Sequence, residues 1–136
     1  MAFEPSPAAQ RYADAQQRLA GLRDRADLAE AEPGWEPAHR LWESSAVLSK
    51  LLGAGARAGQ PQAEISVDEL GAALAVFEEL RIRLDELECQ VIMEARRRGL
   101  EWQQIRDEQG LRSPQAAAQR YQRLMTRLEE IRQGVR

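Results

Sequence analysis

The stretch from Glu88 to Leu124, ECQVIMEARRRGLEWQQIRDEQGLRSPQAAAQRYQRL, leaves little choice of local fold. Three short runs of helical spacing are separated by Gly99-Leu100 and by Gly110-Leu111-Arg112, and the third opens on Ser113-Pro114. Glycine reaches the left-handed backbone that ends a helix, serine caps the next one, and proline suits its first position. The order helix, tight turn, helix is that of a helix-turn-helix, whose second helix commonly lies in the major groove of DNA.

Upstream, the pattern is also helical. Ala9, Tyr12, Ala13, Leu19, Leu22, Ala26 and Leu28 predict a first helix over 6–31, with Pro7 in its first turn. The segment Glu32-Pro33-Gly34-Trp35-Glu36-Pro37 breaks it. A second helix is expected over 38–53, with Leu41, Trp42, Val47, Leu48, Leu51 and Leu52 on its apolar side, followed by a flexible loop over 53–64. Ser66-Val67-Asp68-Glu69 has the form of a capping box. From it runs an apolar stripe through Leu70, Leu74, Phe77, Leu80, Leu84, Leu87, Val91 and Met93 or Ala95, either as one helix to Arg98 or broken near Leu84. The next helices are expected over 101–108 and from Pro114 onward, the last with Ala117, Tyr121, Leu124, Leu128 and Ile131 on one face. No run of β-branched residues alternates with period two, so the expected class is all-α, a helical bundle with a C-terminal trihelical helix-turn-helix. Residues 1–65 are expected to form a helical arm for packing or dimerisation, and residues 66–136 a long helix plus the helix-turn-helix domain.

Charge divides along the chain in the same way. Of 19 basic and 22 acidic residues, ten Arg and five acids fall between Arg96 and Arg136, a balance of +5. The remaining nine basic and seventeen acidic residues give −8, and the whole chain −3. A basic C-terminal part behind an acidic N-terminal part suits a molecule that meets a polyanion at one end. The 43% hydrophobic and 30% charged composition fits a soluble globular chain, and no apolar stretch reaches the length of a membrane span. The N-terminus lacks the pattern of a signal peptide. The single Cys89 excludes an intrachain disulfide, fits a reduced cytoplasmic setting, and lies in an apolar run that predicts buried packing. His39 is also single, so there is no zinc signature. No nucleophile–base pair, phosphate loop or cofactor motif is present, and no enzymatic activity is expected.

Within the helix-turn-helix, Trp102 and Ile105 are expected to pack between the neighbouring helices, with Trp102 as a buried wedge. Ala116, Ala117 and Ala118 permit close approach. Gln115, Gln119, Gln122 and Arg123 then face outward, where Gln can form two hydrogen bonds to an adenine edge and Arg two to guanine. Arg112 stands at the helix entrance, suited with the free amides there to phosphate. Arg96 to Arg98 serve as helix-end cations or phosphate contacts. The candidate DNA-binding residues are Arg98, Gln103, Arg112, Ser113, Pro114, Gln115, Gln119, Arg120, Gln122 and Arg123. Trp35 and Trp42 could line a pocket, though Trp at helical spacing usually belongs to a core.

The segment Gly110 to Leu124, GLRSPQAAAQRYQRL, resembles the recognition segment of a group of small actinobacterial helix-turn-helix regulators, some described as regulators of a small heat-shock protein. Gly99-Leu100-Glu101-Trp102-Gln103-Gln104-Ile105 is similar to the segment that precedes it in them, and the region is distantly similar to sigma-factor region 4. Glu101 stands where those proteins carry a small hydroxyl, and Pro114 where many carry Arg. The resemblance runs from Leu87 to Leu124, little more than a quarter of the chain. It implies sequence-specific binding of double-stranded DNA and a transcriptional role in the cytoplasmic nucleoid, with other transcription proteins as further partners. One helix-turn-helix contacts too little DNA for strong specificity, which favours a homodimer on two half-sites. The alternatives are a nucleoid-associated protein of weak sequence preference and a helical adaptor that binds protein through the Ala-rich groove.

Overall fold

The computed structural model describes residues 4–28, 37–55 and 65–134. Among them every regular element is helical and no strand occurs. The order is α1 (Pro7–Leu19), a short 3-10 turn (Leu22–Asp24), α2 (Ala38–Gly55), α3 (Val67–Arg97), α4 (Trp102–Gln109) and α5 (Pro114–Gln133). The all-α class read from the sequence is what is found. The expected loop over 53–64 lies mostly outside the described residues, as does Trp35, and α2 runs on to Gly55.

The first helix is shorter than its periodicity predicts. It starts on a Ser6 cap with Pro7 behind it but stops at Leu19, just ahead of Gly21. A glycine inside a helix costs about 1 kcal/mol, and burial would have to repay it. Here it does not: Leu19, Leu22 and Leu28 are all more than 40% exposed, so no apolar face beyond Ala20 holds the helix together. The links from α1 to the rest are polar. Arg18 forks onto Glu108 of α4 at 3.1 and 2.6 Å, and the Arg11 guanidinium lies over Gly110.

α3 is one unbroken helix. Its capping box forms as the sequence predicts, with Ser66 Oγ accepting from the Glu69 amide and Glu69 accepting from the Ser66 amide, each at 3.0 Å. No Pro lies within it, and neighbouring helices support both halves. α2 packs along the N-terminal half, where Arg40, Glu79, Arg83 and Glu86 form a chain of ion pairs. α5 packs along the C-terminal half and in turn holds α4. The centre of this second group is Ile92, Ile105 and Ala117, at 4%, 5% and 0% exposure, surrounded by Leu100, Trp102, Leu111 and Tyr121. Cys89 and Leu124 are buried beside it, which bears out the packing role expected of Cys89.

Candidate nucleic-acid interface

The α4–α5 unit is built by local chemistry that the sequence announces. Gly110 takes the left-handed conformation at φ 68°, and its N–H donates back to the carbonyls of Arg106 and Asp107. Leu111 N–H reaches the Arg106 carbonyl at 3.1 Å, turning the Leu111 side chain toward the core. Arg106 Nη2 donates to the Arg112 carbonyl at 3.3 Å, bracing the turn from outside. Ser113, extended, accepts the Ala116 N–H at 3.0 Å, and Pro114 occupies the first helical position. Glu101 at the start of α4 is served by Gln104, whose Oε1 accepts the Glu101 N–H at 2.8 Å. The missing hydroxyl cap is thus partly replaced.

With Ala117 fully enclosed, the rotation of α5 is fixed. Tyr121, Leu124 and Leu128 follow on the inward face. Gln115, Gln119, Gln122 and Arg123 are exposed on the outward one, and Thr126 joins them. Thr126 was not among the sequence candidates, although the steps 115, 119, 122, 126 would have included it. Over these turns the outward face carries no carboxylate; the first are Glu129 and Glu130, near the far end of α5. Ser113 and Pro114 are half-buried and act as the cap and first residue of the helix.

The arginines of this region separate into two sets. Arg97 and Arg98 both bond Glu94 at 2.6 Å, and together they hold its carboxyl down to about 2, Arg97 contributing most. Arg96 donates to the Leu100 carbonyl at 2.9 Å and lies 5.0 Å from the Trp102 ring centre, in cation–π geometry. Arg106 pairs with Asp107, Arg127 with Asp85, and Arg132 with Glu129. Arg112 and Arg123 form the second set: both are exposed, and among the described residues neither has a carboxylate within 4.0 Å.

Three candidate residues are placed differently from the sequence reading. Arg120 turns sideways, not outward. Its Nε and Nη2 donate to the two carboxylate oxygens of Glu88 at 2.7 and 2.8 Å, and Gln109 Nε2 reaches the same carboxylate at 3.3 Å. The pair keeps the Arg120 guanidinium firmly charged and clamps α5 to α3. No local signal could reveal it, because the partners are 32 residues apart. Arg98 is exposed at the end of α3 but engaged by Glu94, and Gln103 on α4 donates to Asp107 at 3.3 Å. Trp102, expected as a buried wedge, is only half-buried. Its ring tilts against Tyr121, centroids 5.8 Å apart, and its outer edge borders a shallow hollow with Gln90, Met93 and Arg97.

The rest of the chemistry is plain. Burial, with Glu88 alongside, pushes the Cys89 thiol up, so thiolate is scarce there. Among the described residues no group of His, Cys, Asp and Glu could hold a metal ion, and no helix is long and apolar enough to cross a membrane. What the outward face of α5 offers is amide and guanidinium hydrogen bonding, with positive charge that has no carboxylate within 4.0 Å among the described residues. No family model, no curated protein and no solved structure matches the chain.

Proposed function

We propose that the chain is a sequence-specific regulator of transcription that binds double-stranded DNA as a homodimer, α4 and α5 forming its helix-turn-helix. α5, starting at Ser113, enters the major groove. Gln115 and Gln119 meet base edges, Arg123 meets a guanine or a phosphate, and Arg112 with the first amides of α5 holds phosphate. One observation carries this reading: the outward face of α5 presents Gln115, Gln119, Gln122 and Arg123 without a carboxylate, while most arginines nearby are spent on internal ion pairs. A face exposed merely to solvent has no reason to keep its acids away. The resemblance of Gly110 to Leu124 to small helix-turn-helix regulators points the same way.

The test is a mobility-shift experiment against genomic fragments with random competitor at two salt concentrations. A discrete band that survives competitor is the expected result. A smear abolished by salt replaces the regulator with a nucleoid-type protein. No shift at all removes DNA as the partner and favours a protein-binding adaptor.

A further inference from the structure

α3 carries a heptad seam whose apolar residues the described part of the chain leaves exposed. Val67, Leu70, Leu74, Phe77, Arg81, Leu84, Glu88 and Val91 follow one another in steps of three and four, the spacing of coiled-coil core positions. Six of the eight are apolar, and all six are open to solvent: Val67 85%, Leu70 46%, Leu74 73%, Phe77 41%, Leu84 57% and Val91 66%. α2 lies to one side of this seam, over Ala73, Val76 and Leu80, and α5 to the other. Between α2 and the seam runs a groove lined by Ser45, Ser49, Leu52, Leu70, Leu74 and Phe77, with no charged residue in its walls.

We infer that this seam is the surface through which two copies of the chain associate, α3 against α3 in antiparallel orientation. The inference deepens the homodimer in the functional reading by naming its interface. Two observations choose a second copy as the occupant.

The first is self-complementarity. A two-fold axis beside residue 79 sets Val67 against Val91 of the other copy, Leu74 against Leu84, Phe77 against Arg81, and Leu70 against Glu88, whose carboxylate is held by Arg120 of its own chain. The most exposed apolar residues therefore meet one another in pairs, as an isologous interface requires. Arg81 is exposed, and among the described residues it has no carboxylate partner. The antiparallel arrangement lays its stem across Phe77 and its guanidinium beside Glu78 of the other copy. A parallel arrangement would instead oppose Arg81 to Arg81 and Glu88 to Glu88.

The second is area. At about 100–150 Å² per aliphatic side chain and ~200 Å² per aromatic, the exposed fractions of the six residues with Leu52 amount to roughly 500–650 Å² of apolar surface. A stable interface buries roughly 800 Å² per partner, of which about 60% is apolar. The seam supplies the apolar share.

Sedimentation equilibrium of the full chain without DNA tests this directly. The 15.3 kDa chain is expected to sediment as a dimer at micromolar concentration. Leu74→Glu should raise the dimer dissociation constant at least 100-fold while leaving the far-ultraviolet circular dichroism of the monomer unchanged, because Leu74 is 73% exposed within one copy. Adding Leu84→Lys to Leu74→Glu should restore the dimer, since only the antiparallel register brings residue 74 of one copy onto residue 84 of the other. A monomeric wild type, or a dimer indifferent to Leu74→Glu, overturns the proposal. A Leu74→Glu monomer not rescued by Leu84→Lys overturns the antiparallel register. The DNA reading stands or falls separately: its failure abolishes the mobility shift and leaves these masses as they are.

Discussion

Replacing Glu88 by Gln removes one of the two carboxylates through which α3 holds arginines of α5 and keeps the shape of the side chain. Glu88 receives the bidentate fork of Arg120 at 2.7 and 2.8 Å and a third bond from Gln109 at 3.3 Å. Hydrogen bonds to a charged group are worth about 1.5–3 kcal/mol when shielded from water, whereas exposed ion pairs give about 0–1 kcal/mol. Glu88 is 25% and Arg120 40% exposed, between those limits, so a loss of about 2 kcal/mol is expected. In a chain of this length that lowers Tm by roughly 6–8 °C, at about 3–4 °C per kcal/mol. Urea denaturation of Glu88→Gln, Arg120→Gln and the double variant measures the pair itself, with an expected coupling of about 1–1.5 kcal/mol. Additivity within about 0.3 kcal/mol would refute the clamp and return Arg120 to the set of residues free to meet a ligand.

Other outcomes follow from the same geometry. Trp102→Ala should destabilise by about 2–4 kcal/mol in thermal or urea melts, below the range for a fully buried Trp because one edge is open; a melt like the wild type's would make Trp102 a binding residue instead. The Glu94 carboxyl, held to about 2 by Arg97 and Arg98, should titrate near that value by carbon-detected NMR in the free protein. Its pKa is depressed, so the Arg97–Glu94–Arg98 cluster is intact above the ordinary carboxylate range and is lost as pH falls through about 2. Arg97→Gln should move the midpoint up toward 4.5. Gln115→Ala should leave Tm unchanged and relax base preference at one position per half-site in a binding-site selection; lost stability with an unchanged selected motif would mean that Gln115 only supports its own helix.

The C-terminal fold was legible because each of its boundaries is set by local chemistry. Gly110 needs a left-handed turn, Ser113 and Pro114 start a helix, and Ser66 with Glu69 closes a box, each signal confined to a few residues. The outward set on α5 followed from periodicity once Ala117 was taken as the inward mark. What escaped was non-local. The Glu88–Arg120 clamp joins residues with no shared pattern, and it changed the reading of Arg120. The end of α1 also escaped: its stripe continues in sequence past Gly21, but among the described residues Leu19, Leu22 and Leu28 stay exposed, and periodicity alone does not hold a helix in water. The stripe on α3 was visible as a stripe. That most of it faces solvent, as a heptad seam, became visible only once α2 and α5 were seen to lie on either side.

The most direct measurement is the salt dependence of DNA affinity, read by fluorescence anisotropy on a selected site for wild type and for Arg112→Ala with Arg123→Ala. Each phosphate neutralised contributes about 0.9 to the slope of log K against log salt concentration. The double variant is expected to bind at least tenfold more weakly, with a slope shallower by about one unit if only Arg112 meets phosphate and by about two if both do. Equal affinity and equal slope in the two proteins would contradict the assignment of the α5 face to DNA.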